Sequence, residues 1–338
     1  MMSKIATSVL GLLLLLPMAA CQEHDPLSPL PTRQLRPKVS KTLSDGVAVA
    51  SPVDMNTAGT VLGYLYTGAN HAAISVNGAA YDLGTTDNLP TSSSYPGAIN
   101  NRGQVVGNEY SGGASYYGFL WTPDQPNGTT GTMQRLPDTP NGPATALDIN
   151  DAGQAVGIPV NTPGIVLWHG SEVVLLPLPI AGGSVYWCTI NNFGQIAGTA
   201  ADDAGDTHPF LWTPATPNGT TGSYVILNTP ANLGGYTAGL NDFGQVIVNA
   251  AEGQTQLWTP ASANGQNGTW TTLEGPTGAV SGVDINSRGD VLTSAYADYN
   301  ESCYSINHLF LWRPSVPNGA SGTTIDLAIS AVRHVCAK

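Results

Sequence analysis

The sequence predicts an all-β fold, a six-bladed β-propeller, and one repeated motif carries most of that prediction. The motif is an apolar residue, then Asn, two variable residues, Gly and further aliphatic residues. Its six copies are marked by Asn56, Asn100, Asn150, Asn191, Asn241 and Asn286, which lie 44, 50, 41, 50 and 45 residues apart. Repeats of this length are typical of four-stranded propeller blades. Closing six such units into a ring would remove exposed sheet edges, which favours a propeller over an open solenoid.

Each unit is predicted to contain four strands. The first strand ends at the Asn, and the second begins after the Gly. About 20 residues later a third strand ends in Trp121, Trp168, Trp212, Trp258 or Trp312, with Ala72-Ala73-Ile74 as the divergent first copy. The fourth strand is short and carries Leu83, Leu136, Leu176, Leu227, Leu273 or Leu327. Because a large ring fills the widening gap between sheets, we expect each Trp to pack against a neighbouring blade.

Two kinds of turn connect these strands. In Asn-x-x-Gly the Asn side chain can bond the backbone two residues on, and Gly adopts the left-handed conformation that closes a short hairpin. The turn between the third and fourth strands ends in Asn127-Gly128, Asn218-Gly219, Asn264-Gly265 or Asn318-Gly319, shortened to Asn77-Gly78 and His169-Gly170 in units one and three. We expect both kinds of turn to lie on one face of the propeller.

The composition agrees with a single secreted all-β repeat domain. Only 10% of the residues are charged, 41% are hydrophobic, and 40 Gly and 25 Pro supply turns. The formal net charge is −12. This charge argues against nucleic acid and against anionic lipid headgroups as partners.

Residues 1–20 have the layout of a secretory signal peptide. Lys4 precedes an apolar stretch, residues 5–16, which is too short for a comfortable membrane span. The segment ends in Met18-Ala19-Ala20-Cys21, which looks like a bacterial lipobox with Cys21 as the lipidated first residue of the mature chain. Plain cleavage is the weaker alternative, because Met18 stands where a small residue is needed.

Residues 21–38 are predicted to be an extended tether. They contain Pro26, Pro29, Pro31 and Pro37 and few apolar residues. Acyl chains on Cys21 would anchor this tether to a membrane at roughly 0.8 kcal/mol per buried methylene. By resemblance to other bacterial lipoproteins, Gln22 after the Cys implies sorting to the outer membrane, so we expect a protein of the outer membrane or cell surface.

The propeller domain is expected to span residues 39–330, followed by a C-terminal tail at residues 331–338. Residues 39–43 imitate a fourth strand by their spacing from Asn56, although residues 323–327 already supply one for unit six. We therefore expect the two terminal segments to meet at the closing blade.

The repeated block also resembles a known family. Residues 99–107 read Ile-Asn-x-x-Gly-Gln-Val-Val-Gly, and residues 208–212 read His-x-Phe-Leu-Trp. Together these blocks resemble the HAF repeat family of extracellular bacterial proteins, from about residue 54 to residue 327. The resemblance implies an extracellular location and no particular activity. The chain departs from the family pattern because only His71, His208 and His308 occupy the His position.

No motif specifies catalysis, a metal or a cofactor. A His that recurs at one repeat position is expected to hydrogen-bond a neighbouring blade, and no zinc-binding His spacing occurs. The loop Asp202-Asp203-Ala204-Gly205-Asp206 could hold Ca²⁺, but it lacks the terminal Glu of a calcium loop, so an acidic solvated loop is the preferred interpretation. We expect no cofactor and no metal. A carboxylate dyad built from different blades stays open as an alternative.

The cysteines divide into three roles. With Cys21 assigned to lipid, Cys303 and Cys336 are the natural disulfide pair in an oxidising compartment, since loop and tail belong to the same end of the array. Cys188 is expected to be a buried, inert free thiol.

The predicted binding surface is the face opposite the two Asn-Gly turns, where tyrosines and several carboxylates collect in or beside loops. Tyr offers flat apolar area and a hydroxyl at small entropic cost, as a carbohydrate or peptide receptor requires. The predicted ligand-binding residues are Tyr116, Tyr117, Trp187, Tyr236 and Tyr299. Ordinary loop tyrosines in a protein of low charge are the competing interpretation.

Three classes of function remain open. The first is a non-catalytic, surface-tethered protein that binds or adheres to an extracellular ligand, either a glycan or a protein. The second is a structural envelope protein without a small ligand. The third is a propeller glycosidase or lyase acting on polysaccharide, which the missing catalytic motif disfavours but does not remove.

Overall fold

The computed structural model describes residues 50–66, 68–89, 91–111, 116–230, 234–250, 253–275, 280–299 and 304–334. The signal segment, the tether, residues 39–43 and Cys303 and Cys336 lie outside these ranges. The described strands form six separate four-stranded antiparallel sheets, one for each copy of the Asn motif.

Each sheet consists of four strands that are consecutive in the chain and neighbours in the sheet. The first three sheets comprise β1 (Ala50–Met55), β2 (Val61–Tyr66), β3 (Asn70–Val76), β4 (Ala79–Asp82), β5 (Ser93–Ile99), β6 (Val105–Tyr110), β7 (Tyr116–Pro123), β8 (Gly131–Arg135), β9 (Ala144–Ile149), β10 (Gln154–Pro159), β11 (Ile165–His169) and β12 (Glu172–Leu176). The last three comprise β13 (Ser184–Ile190), β14 (Ile196–Ala201), β15 (Thr207–Pro214), β16 (Gly222–Ile226), β17 (Tyr236–Leu240), β18 (Val246–Asn249), β19 (Thr255–Pro260), β20 (Gly268–Leu273), β21 (Ser281–Ile285), β22 (Val291–Tyr299), β23 (Tyr304–Pro314) and β24 (Gly322–His334).

The sheets are the blades of a six-bladed β-propeller, which confirms the predicted fold. The first strands of successive blades contact one another, from β1 to β5 and onward to β21, so these strands are innermost. Residues of all six β1–β2-type hairpins line one cavity, with Met55 from blade one and Ile285 from blade six among them. The first and last blades therefore meet around a common axis. The last strand, β24, runs to His334, four residues beyond the domain boundary predicted at 330.

Apolar side chains between neighbouring blades form the core. Trp121 packs with Leu62 and Ile74 of blade one, and Trp168 packs with residues of blade two such as Val106. The Trp168 indole N–H also donates to the Pro137 carbonyl of blade two at 2.9 Å. In blades two to six the Trp of the third strand thus packs into the interface with the preceding blade, as its large ring and recurrent position predict.

The repeated Asn is the polar hub of every blade. Its side-chain oxygen accepts hydrogen bonds from backbone N–H groups within its own turn, as Asn56 Oδ1 does from Ala58 and Thr60 at 3.1 Å. Its side-chain nitrogen donates to the backbone carbonyl of the Asn in the next blade, and five such links at 2.9–3.1 Å run from Asn56 to Asn286. All six Asn side chains are buried. A motif that closes a hairpin locally therefore also ties the blades together.

Both kinds of Asn-Gly turn lie on one face, which we call the turn face. The backbone N–H of Asn127 donates to the Arg102 carbonyl at 2.9 Å, and the equivalent bonds of Asn218, Asn264 and Asn318 are 2.7–2.8 Å long. Gly194 has φ +90°, and a Cβ there would lie 2.9 Å from the Asn218 Cα. The Gly of the motif is thus required twice, for a left-handed φ and for close approach of the second turn. The opposite face, which carries the β2–β3-type and inter-blade loops, is called the loop face.

Candidate functional site

Three aromatic residues occupy one equivalent position on the inner strands of the propeller. In each blade a residue of the first strand pairs with the residue eight positions after the repeat Asn. The first-strand member of this pair is Tyr95 in blade two, Trp187 in blade four and Tyr236 in blade five. The position lies toward the loop face, at the part of the blades nearest the axis. We call this location in each blade the aromatic position.

A β-bulge in blade four brings Trp187 into the aromatic position. In blade five the first strand bulges at Ala238, between the aromatic position and the Asn turn. In blade four the register shift lies instead at Tyr186, beyond that position. A bulge leaves one residue unpaired and re-aims its neighbours. As a result the consecutive residues Tyr186 and Trp187 are both exposed, at 54% and 37%.

Trp187 and Tyr236 lie on adjacent blades that are joined by direct hydrogen bonds. The N–H of Thr237, next to Tyr236, donates to Oγ1 of Thr199 at 2.8 Å, and Thr199 is the strand partner of Trp187. The Thr237 hydroxyl also donates to the Gly198 carbonyl at 2.7 Å. Both threonines are buried, so these bonds fix the spacing of the two exposed rings.

A cleft of about 620 Å³ opens beside Tyr236 between blades four and five. We call it the loop-face cleft; its lining includes Asp206, His208, Asn228, Thr229 and Tyr236. Tyr236 is 57% exposed. Flat aromatic area next to side-chain amide, hydroxyl, imidazole and carboxylate groups is the usual composition of a site for a polar, ring-shaped ligand. Among its described lining residues, Asp206 is the one carboxylate.

The acidic loop of blade four forms one wall of this cleft and is a solvated turn. Asp202 Oδ1 accepts from the N–H groups of Ala204 and Asp206 at 2.9 and 3.0 Å, the same pattern as in the repeat turns. Asp202 Oδ2 lies 3.1 Å from His208 Nε2. This hydrogen bond from His208 is the main reason that the pKa of the Asp202 carboxyl lies below its usual range. Both oxygens of Asp202 are thus hydrogen-bonded within blade four. Asp206 is the acidic residue of this loop that lines the cleft.

Tyr116 belongs to a separate tyrosine cluster on blades one and two. The ring centroids of Tyr64 and Tyr95 are 6.2 Å apart, those of Tyr95 and Tyr116 are 6.4 Å apart, and those of Tyr110 and Tyr116 are 5.3 Å apart. Burial, and then the neighbouring Tyr95, raises the pKa of the Tyr64 hydroxyl. Tyr116 is 37% exposed, whereas Tyr95 is half-buried beneath its neighbours. These rings present less free face than those of blades four and five.

The remaining predicted residues are placed differently. The Tyr117 ring is covered by the Arg135 guanidinium, 3.7 Å from the ring centroid, and Arg135 pairs with Asp138 at 2.6 Å. Tyr117 therefore has a cation–π partner within its own blade. Tyr299 ends β22, and its side chain lies outside the described part of the structure. The structure thus brings Trp187 and Tyr236 to adjacent blades and separates both from Tyr116 and Tyr117.

Sequence reasoning missed Tyr95 and did not include Tyr186 among the site residues. A signal for both was present, since Tyr95, Tyr186 and Tyr236 each lie five residues before a repeat Asn. That alignment places Tyr186, rather than Trp187, in the shared position. The displaced bulge of blade four instead leaves Tyr186 unpaired and puts Trp187 in the shared position.

A second cavity lies on the axis at the turn face. It has a volume of about 270 Å³ and is lined by the six repeat turns. We call it the axial cavity. Its side chains include amides, hydroxyls, aliphatic groups and the carboxylates of Asp151 and Asp242. Both oxygens of each carboxylate already accept hydrogen bonds from an Asn of the preceding blade.

Among the described residues, no group of three or more His, Cys, Asp or Glu side chains is arranged to hold a metal ion. The ranges that the structure describes contain no helix with the length and apolarity to span a membrane. Cys188 is a buried free thiol whose pKa is raised by burial and, to a lesser degree, by Asp148.

Comparison with known proteins finds a likeness to solved structures and none to characterised sequences. The sequence matches no protein-family profile and no curated protein. The solved structure of YCF48 from Cyanidioschyzon merolae is similar to this chain, with a TM-score of 0.47 and 9% sequence identity over 81% of this chain and 84% of that one.

Proposed function

We propose that this protein is a non-catalytic glycan-binding protein, and that its ligand docks on the loop face across blades four and five. The supporting observation is the pair of exposed rings, Trp187 and Tyr236, held on adjacent inner strands, with Tyr236 also lining the polar loop-face cleft. Sugar rings stack on aromatic faces through their C–H groups while their hydroxyls require hydrogen-bonding partners. Tyr236, Asn228, Thr229 and Asp206 offer both kinds of contact in one place.

The lining of the cleft favours binding over glycoside hydrolysis. Glycosidases need two carboxyl groups on either side of the scissile bond, about 5 to 10 Å apart. Of the described residues lining the loop-face cleft, Asp206 alone is a carboxylate, and the neighbouring Asp202 is engaged by His208 and backbone N–H groups. The described lining therefore has the groups to hold a sugar and does not include a paired acid and base to cleave it.

The proposed location is the bacterial cell surface. Its support comes from the signal-like residues 1–20, the lipobox ending at Cys21 and the Pro-rich tether. A lipid anchor would hold the propeller near the envelope while the loop face remains available to an extracellular glycan. Changing Cys21 to Ser should move the protein from the membrane fraction to the soluble fraction. If that variant stays anchored as firmly as the wild type, the apolar segment is an uncleaved helix.

Glycan-array and pull-down screens of the purified protein test the ligand class. The variants Trp187→Ala and Tyr236→Ala should each weaken binding to any glycan hit by roughly fivefold or more, since stacking on one ring contributes about 1–3 kcal/mol. Tyr81→Ala is the matched control, because Tyr81 is also 37% exposed but lies on the outermost strand of blade one.

Three outcomes would contradict the proposal. Binding that survives both blade-four and blade-five substitutions would move the site elsewhere on the propeller. An equal loss in Tyr81→Ala would show that the substitutions act nonspecifically. Release of reducing ends from a bound polysaccharide by the purified protein would restore the enzyme hypothesis.

A further inference from the structure

The axial cavity is built from a second set of residues that the repeat turn itself does not require. The turn uses the Asn side chain and the Gly conformation, whereas the residue after each Asn is free to vary. All six of these residues nevertheless are polar and line the cavity: Thr57, Asn101, Asp151, Asn192, Asp242 and Ser287. The cavity thus has a continuous polar rim with contributions from every blade.

Hydrogen bonds between blades hold the two carboxylates of this rim in place. The backbone N–H and the side-chain amide of Asn101 donate to the two oxygens of Asp151, both at 2.8 Å. Asn192 binds Asp242 in the same way, at 2.9 and 3.1 Å. Each carboxylate is therefore fixed by a fork of two donors, and a ligand would not need to order it on binding.

No cation of the described residues forms a salt bridge with the negative charge of the rim. Within the described chain, neither Asp151 nor Asp242 forms a salt bridge. Arg102 and Arg288 belong to two of the repeat turns, but neither is among the lining residues, and Arg288 lies 3.7 Å from Asp290. The donors that fix the carboxylates are neutral, so the charge remains available to a ligand.

Below the rim, the six repeat Asn residues and five apolar residues line the cavity together. The apolar residues each precede a repeat Asn: Met55, Ile99, Ile149, Ile190 and Ile285. An anionic rim above a partly apolar lining matches a molecule with a cationic head and methylene groups. We propose that the axial cavity is a second binding site, for small alkylammonium compounds.

Isothermal titration of the purified full-length protein with 1,5-diaminopentane tests this inference, with 1,5-pentanediol as the neutral probe of the same length. The diamine should bind and the diol should not. The variants Asp151→Asn and Asp242→Asn should each weaken diamine binding about fivefold, and the double variant more than tenfold, from loss of one or two close charges. These substitutions suit the fold, because blades two and four already carry Asn at this position.

Asp124→Asn is the matched control, because Asp124 is an exposed carboxylate in a neighbouring turn on the same face and outside the cavity. It should leave the affinity within twofold of the wild type. The inference is overturned if the diol binds as tightly as the diamine, if the control variant loses as much affinity as Asp151→Asn, or if diamine up to about 10 mM gives no binding heat. The glycan tests address the opposite face, so either proposal can fail without the other.

Discussion

Replacing Asn191 by Ala tests whether the buried Asn hub holds the blades together. Asn191 Oδ1 accepts from the N–H groups of Phe193 and Gln195 at 3.1 and 2.9 Å. Its Nδ2 donates to Gln195 Oε1 and to the Asn241 carbonyl of the next blade, both at 3.0 Å. The residue is 4% exposed, so water cannot replace these four bonds.

The expected loss follows from those contacts. A net hydrogen bond contributes about 0.5–1.5 kcal/mol, and each buried group left without a partner costs about 1–3 kcal/mol. The Asn241 carbonyl keeps a bond from Gly244, which reduces the penalty there. Asn191→Ala should therefore lower the free energy of unfolding by about 4 kcal/mol.

The neighbouring residue supplies the control. Asn192 also makes two side-chain hydrogen bonds between blades, accepting from the Asp151 N–H at 2.7 Å and donating to Asp242 at 3.1 Å. Both bonds are exposed, so water can take the place of the lost partner. Asn192→Ala should cost less than about 1 kcal/mol.

Urea unfolding monitored by Trp fluorescence and circular dichroism measures both variants. The buried Trp residues report on the blade interfaces, and coincident transitions would support two-state analysis. The decisive quantity is the difference between the free energies of unfolding of the two variants. If Asn191→Ala is no more destabilising than Asn192→Ala, burial does not increase the contribution of the Asn191 hydrogen bonds to stability. That result would refute the expected loss of about 4 kcal/mol.

Three further outcomes are expected. Gly194→Ala should lower the free energy of unfolding by at least about 1 kcal/mol more than Gly205→Ala, because both have φ near +90° but only Gly194 is crowded by a neighbouring turn; equal losses in urea unfolding would contradict this. Asn192→Asp sets a carboxylate against Asp242, which raises a carboxyl pKa in the folded state, so its stability penalty should be present at pH 7 and disappear as pH falls below about 4; a penalty independent of pH in thermal melts would contradict this. Cys188 should resist alkylation in the native protein and react after unfolding, because burial raises its thiol pKa; rapid native labelling detected by mass spectrometry would refute its burial.

The sequence by itself determined the number and type of the blades. Asn-x-x-Gly encodes a hairpin in four contiguous positions, and the buried Trp encodes a blade interface on one strand, so both are visible in a linear pattern. The spacing of the six Asn residues then predicts a ring. The same local chemistry correctly placed both kinds of turn on one face. Successive hairpins of an antiparallel sheet alternate between its two ends, so the first and the third hairpin of each blade lie at the same end.

The tertiary structure alone decided which side chains meet. Spacing from the repeat Asn aligns Tyr186 with Tyr236, but the displaced bulge of blade four puts Trp187 in that position instead. Tyr117 looks equivalent to Tyr116 in sequence, yet strand alternation sends its ring toward Arg135. The axial cavity also needs all six turns at once. A one-residue change of register moves a side chain to the other side of a strand, and the position of the bulge that changes the register is set by strand pairing rather than by the spacing of the repeat.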